Sequence, residues 1–190
     1  MTPRVKNLVR LALATALILL VPAVAMQFSQ EVNWTAFDFI FAGAMIFGTG
    51  LAYELVVNGK GSLAYRLGVG AALAAAFLLV MVNGAVGIIG SEHNPVNLLF
   101  ATVLLIVIVG AAMARLRPLG MARTMVVAAL AQLLVPAVGL LIWHMDFTAD
   151  VRKGLVANLL FVGLWAGAAV LFRRANGSSP GSSPMVSHAA

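Results

Sequence analysis

Two carboxylates, Asp38 and Glu54, fall inside apolar stretches of this chain. An ionisable group near the centre of a bilayer costs at least about 2.5–3.5 kcal/mol, so each needs a reason to be there. The two lie 16 positions apart, which on a helix is roughly 24 Å of rise and about 160° of rotation. That separation excludes a paired-carboxylate site and leaves only two sequential stations on a path. A third polar group is the turn Gly90-Ser91-Glu92-His93-Asn94-Pro95-Val96-Asn97, with Asn83 two helical turns before it. Asp38, Asn83, Glu92, His93 and Asn97 form an oxygen-rich set suited to a hard cation or a proton relay. His93 adds a group that titrates near neutral pH.

Each of these residues also has a structural reading. Asp38 stands at the start of an apolar run, where a carboxylate favours a helix N-terminus. Glu54 lies at the depth of several bases and pairs most simply with Arg66 as an interfacial ion pair. Asn94-Pro95 reads as an N-cap followed by a first helical proline. A single histidine in a loop is most often solvated. Gln132, near the middle of its span, must find a partner on another helix. Trp143, beside His144 and Asp146, reads as an interface anchor.

No metal-binding His-Glu-x-x-His, nucleophile elbow, phosphate loop or dinucleotide fingerprint occurs. With no cysteine, thiolate catalysis and thiolate metal sites are excluded. An enzyme is therefore not expected, and no metal site or cofactor motif is assigned. An apolar bundle can still hold a lipid, carotenoid or quinone by shape alone.

The elements that must position these groups follow from composition. The chain is 62% hydrophobic and 9% charged, with a mean hydropathy of +1.03, far from a soluble domain. A membrane helix needs about 20 apolar residues. Six such runs occur, over 8–26, 36–57, 67–90, 96–114, 121–143 and 154–172. Backbone groups in lipid must be satisfied internally, so the expected fold is an all-α polytopic membrane helix bundle. Short loops make each sequential pair an expected antiparallel neighbour.

Ten of the 12 Lys and Arg residues occupy alternate gaps between spans, Arg152 and Lys153 being the exceptions. Lys/Arg bias in short loops sets orientation, so the N-terminus and the C-terminus are cytoplasmic. The positive charge is scattered at helix ends rather than gathered into a stripe, which argues against nucleic acid. Arg4, Lys6 and Arg10 before an apolar run ending Ala23-Val24-Ala25 have the shape of a signal peptide. That run is long for a signal peptide, so retention as the first span is expected. Residues 1–174 are read as the bundle and 175–190 as a flexible cytoplasmic tail.

The segment Leu19-Leu20-Val21-Pro22-Ala23-Val24 recurs as Leu133-Leu134-Val135-Pro136-Ala137-Val138. A second echo follows each copy, Met26-x-Phe28-Ser29 and Met145-x-Phe147-Thr148, so a repeat of parallel hairpins is expected. Proline within a span frees a carbonyl one turn earlier and kinks the helix or shapes its packing. Small residues line Ala44/Gly48/Ala52, Ala64/Gly68/Ala72/Ala76 and Gly163/Gly167, and they let helices approach within one chain or between protomers.

Phe37-Asp38-Phe39, Tyr53-Glu54-Leu55, Gly87-Ile88-Ile89-Gly90-Ser91-Glu92 and Asn94-Pro95 with Asn97-Leu98-Leu99 resemble small multi-pass bacterial inner-membrane proteins with no assigned activity. The resemblance implies a bacterial inner membrane and transfers no site residues. The leading functional expectation is a small transporter or channel-like protein for protons or small cations. The alternative is a non-catalytic accessory or scaffold subunit of a membrane complex. An enzyme acting on lipid or prenyl substrates comes third. Expected partners are membrane lipids and either a second copy of the chain or a partner protein of a membrane complex.

Overall fold

The computed structural model describes residues 3–29, 32–57, 61–89, 94–142 and 148–177. Six helices long and apolar enough to cross a membrane account for most of them, and the described residues contain no strand. The protein is an all-α polytopic membrane bundle. Its chain divides into two compact units, residues 1–59 and 60–190.

The first unit is a helical hairpin of α1 (Pro3–Phe28) and α2 (Ala36–Val57). Glycines on α2 set its spacing. Leu11 lies over Gly50 and Leu19 over Gly43, where a Cβ would meet the leucine side chains. Asn7 faces Glu54 in the same antiparallel register. The face that packs on α1 therefore carries Gly43 and Gly50. Gly48, from the small-residue row anticipated on α2, has no atom of this unit within 4 Å of a built Cβ.

The second unit holds α3 (Leu63–Ala85), a short 3-10 turn (Pro95–Leu99), α4 (Phe100–Met113), α5 (Pro118–Ile142) and α6 (Ala149–Gly177). Its buried positions recur at alternating steps of three and four. On α6 the seam runs Val151, Gly154, Asn158, Phe161, Trp165, Ala168, Phe172 and Ala175, with Ala169 also buried beside it. On α5 the seam runs Met121, Met125, Ala128, Gln132, Val135 and Gly139. On α3 it runs Tyr65, Gly68, Ala72, Ala75 and Leu79. This is the spacing of knobs-into-holes packing between nearly antiparallel or parallel helices.

The helices stand in the order α3, α6, α5, α4, with α6 packed on both α3 and α5. Sequential pairing thus holds for α4–α5 and α5–α6 but barely for α3–α4, where adjacency was expected. The cause is the connecting segment. Ile88, Ile89 and Val96 are fully buried, and they lodge against α5 and α6 instead of closing a tight hairpin.

Several boundaries also differ from the apolar runs: α1 starts at Pro3, α3 ends at Ala85 and α6 starts at Ala149. Ser62 caps α3 through its hydroxyl, which accepts from the Tyr65 N–H at 3.3 Å, so the helix starts four residues before Leu67. Helix α6 continues to Gly177, so Ala175, Asn176 and Gly177 are helical; residues 178–190 lie outside the described residues.

The α4–α5 link is tight, with Arg115 and Leu116 both in the left-handed region (φ 48° and 58°). Such conformations cost on the order of 1 kcal/mol or more for non-glycine residues. The Tyr65 hydroxyl donates to the Leu116 carbonyl at 2.8 Å and ties this link to α3. The Tyr65 ring meets Phe172 edge-on at 5.5 Å, joining α3 to α6 at the same end.

Candidate functional site

Two polar centres are built into the second unit. The first is the turn that follows α3. Val86 closes that helix by donating to the Val82 carbonyl, and Gly87 takes φ 69°, which returns the chain over the bundle end. The two backbone N–H groups of Ile88 and Ile89 then point at one acceptor. Asn97 Oδ1 receives both, at 3.2 and 3.0 Å, and Asn97 Nδ2 donates to the Ile89 carbonyl at 3.3 Å. Asn97 is 3% exposed, so these bonds replace water for a buried piece of backbone. Asn94 accepts from the Val96 N–H at 3.0 Å, and Pro95 follows as the first residue of the 3-10 turn.

Asn83 joins this centre by donating to the Asn97 backbone carbonyl at 3.0 Å. Its side-chain oxygen Oδ1 is buried and has no hydrogen-bond partner among the described residues. Glycines let the neighbouring helices close in. A Cβ at Gly139 would press into Val96, and one at Gly154 would land on the Ile88 carbonyl oxygen. Asn83 and Asn97 are therefore brought together as the sequence set placed them. Glu92 and His93 lie outside the described residues, as do Trp143, His144 and Asp146.

The second centre lies between α5 and α6. Pro136 lacks an N–H, so the carbonyl of Gln132, four residues earlier, has no intrahelical donor. Asn158 Nδ2 supplies one at 3.1 Å. The Gln132 side chain completes the set: its Nε2 donates to Asn158 Oδ1 at 2.8 Å, and its Oε1 accepts from Trp165 Nε1 at 3.4 Å. Gln132 and Trp165 are wholly buried and Asn158 is 2% exposed. Asn158 and Trp165 were not singled out from sequence. The available signal was Asn158 as the one side-chain amide within the apolar run 154–172, with Trp165 one heptad later.

Asp38 belongs to the first unit. Its Oδ2 accepts from the Thr35 N–H and the Thr35 hydroxyl, each at 2.7 Å, while the Asp38 N–H donates to Thr35 Oγ1 at 3.4 Å. This reciprocal arrangement is a capping box at the start of α2. Trp34 packs edge-on against Phe39 at 5.3 Å beside it. Glu54 Oε2 accepts from Asn7 Nδ2 at 3.0 Å within the first unit, and Arg66 belongs to the second.

Chemically, the amide centres can orient backbone and join helices. They carry no charge and offer no nucleophile. Among the described residues no three His, Asp or Glu side chains gather as a metal site would require. Comparisons of the chain with protein families, curated proteins and solved structures gave no match.

Proposed function

We propose that this integral membrane protein is a non-catalytic accessory or scaffold subunit of a complex in the bacterial inner membrane. The carrying observation is that its deepest polar side chains are spent on one another. Gln132, Asn158 and Trp165 satisfy each other and the carbonyl that Pro136 leaves open. Asn97 is likewise committed to the turn backbone. A permeation path needs polar groups that exchange partners with a passing ion, whereas these bonds fix helix register. The open Gly163/Gly167 face of α6 suits a helix from a partner protein, since no atom of this unit lies within 4 Å of a Cβ built on either glycine. Native mass spectrometry after gentle extraction from the source membrane tests the reading. A mass increased by a second protein supports it; a bare chain or a homo-oligomer overturns it.

One observation favours transport of a proton or small cation as a second reading. The unpaired buried Asn83 oxygen stands in the centre whose sequence neighbours include Glu92 and His93. This reading predicts ion flux in proteoliposomes that falls when Asn83→Leu or Asp38→Asn is introduced. Equal flux in empty and protein-containing vesicles would overturn it.

A further inference from the structure

A groove of about 230 Å³ runs between α5 and α6 on the outside of the second unit. Val126, Ala129 and Leu130 form one wall, Ala166, Ala169 and Val170 the other, and Arg173 closes its basic end. Spacing on α6 places Ala166, Ala169, Val170 and Arg173 on one stripe, at steps of three, one and three. Arg123 stands seven residues before Leu130 on α5, and so on nearly the same stripe of that helix. Because α5 and α6 run antiparallel, Arg123 and Arg173 come to about the same depth on the two helices that wall the groove. Both are exposed.

Nothing acidic belongs to this end of the unit. Its three acids, Glu92, Asp146 and Asp150, fall by sequence in or next to the connections at the opposite end. Arg173 lining one wall of an apolar groove, with Arg123 one turn before Val126 on the helix of the other wall, is complementary to an anion that carries a hydrocarbon chain. Guanidinium binds phosphate through parallel N–H donors, and the alanine-lined walls leave room for a chain to lie lengthwise. Loop charge bias places this end at the cytoplasmic leaflet, where anionic lipids supply that ligand.

We propose that the α5–α6 groove is a binding site for one anionic phospholipid of the cytoplasmic leaflet. Arg123 and Arg173 hold its phosphate, and one acyl chain lies along Ala166 and Ala169. A lipid so held spans both helices that carry the Gln132–Asn158 contact and braces them at the end farther from it.

The test is native mass spectrometry of the full chain in detergent, titrated with phosphatidylglycerol and, separately, phosphatidylcholine of the same acyl chains. Roughly 30-fold tighter retention of phosphatidylglycerol is expected, since two basic groups contribute about 1 kcal/mol each. The double variant Arg123→Gln/Arg173→Gln, at two exposed positions, should lose that preference. Ala166→Trp fills the groove without touching either arginine and should weaken retention of phosphatidylglycerol. Equal retention of the two lipids by the unaltered chain overturns the proposal, as does a preference that survives in the double variant. Undiminished retention by a folded Ala166→Trp protein, checked by circular dichroism, overturns the placement of the acyl chain.

Discussion

The side-chain amide of Asn158 donates, at 3.1 Å, to the one carbonyl on α5 that Pro136 leaves without an intrahelical donor, that of Gln132. Proline and asparagine sit on different helices, yet each accounts for the other. Without Asn158 the kinked helix would bury an unmet acceptor. Without Pro136 that carbonyl would already be taken. The repeat-related position in α1 is Ile18, four residues before Pro22, so the first copy carries no amide there.

This relationship gives a rescue prediction. Asn158→Leu should destabilise the protein by roughly 1–3 kcal/mol, because it strands the Gln132 carbonyl and side-chain amide. Adding Pro136→Ala to that variant should recover part of the loss, since the new N–H can reach the carbonyl inside α5. Unfolding of the purified protein in mixed micelles measures both. If Pro136→Ala makes Asn158→Leu worse by its full single-mutant cost, the two residues are not coupled as described.

Asn97 stands in for a missing stretch of secondary structure, accepting from Ile88 and Ile89 and donating back to Ile89. Asn97→Ala should release the turn selectively. Hydrogen exchange at the Ile88 and Ile89 amides is expected to quicken by at least about tenfold, while the α6 core amides change little. Uniform acceleration throughout the second unit would instead mean that the turn is part of its global folding unit.

Two glycines on α6 should respond oppositely to the same change. Gly154→Ala forces a methyl onto the Ile88 carbonyl and is expected to cost about 1–3 kcal/mol, the usual range for overpacking. Gly167→Ala meets nothing within 4 Å and should be neutral or slightly stabilising, by up to about 1 kcal/mol from helix propensity. Paired thermal unfolding curves decide. A large loss from Gly167→Ala would show that this face is occupied.

At the basic end, Tyr65→Phe removes the hydroxyl that donates to the Leu116 carbonyl while keeping the ring against Phe172. A loss of about 1 kcal/mol is expected. Leu116→Gly relaxes the left-handed backbone and should be stabilising or neutral despite losing a large side chain that is 38% exposed. Destabilisation of Leu116→Gly by more than about 1 kcal/mol would place the value of that residue in its side chain rather than its backbone.

Much of this protein was legible from residue order alone. Runs of apolar residues fix six crossings because lipid admits only helices whose backbones satisfy themselves. Loop charges fix which end is basic, and local chemistry fixes two caps, Asp38 at the start of α2 and Asn94 before Pro95. These effects act within a few residues, so a one-dimensional reading reaches them. Which helices touch was another matter. In water, a polar face tells which side of a helix is outside. In a bilayer both the packed and the lipid-facing sides are apolar, so α4, α5 and α6 give little sign of their contacts. Only the tertiary structure decides that α6 stands between α3 and α5, that Ile88, Ile89 and Val96 lodge against α5 and α6, and that Gln132 finds Asn158 and Trp165. Each depends on shape at the three-four seams, where a glycine or alanine lets one backbone approach another and a single amide chooses its partner by proximity.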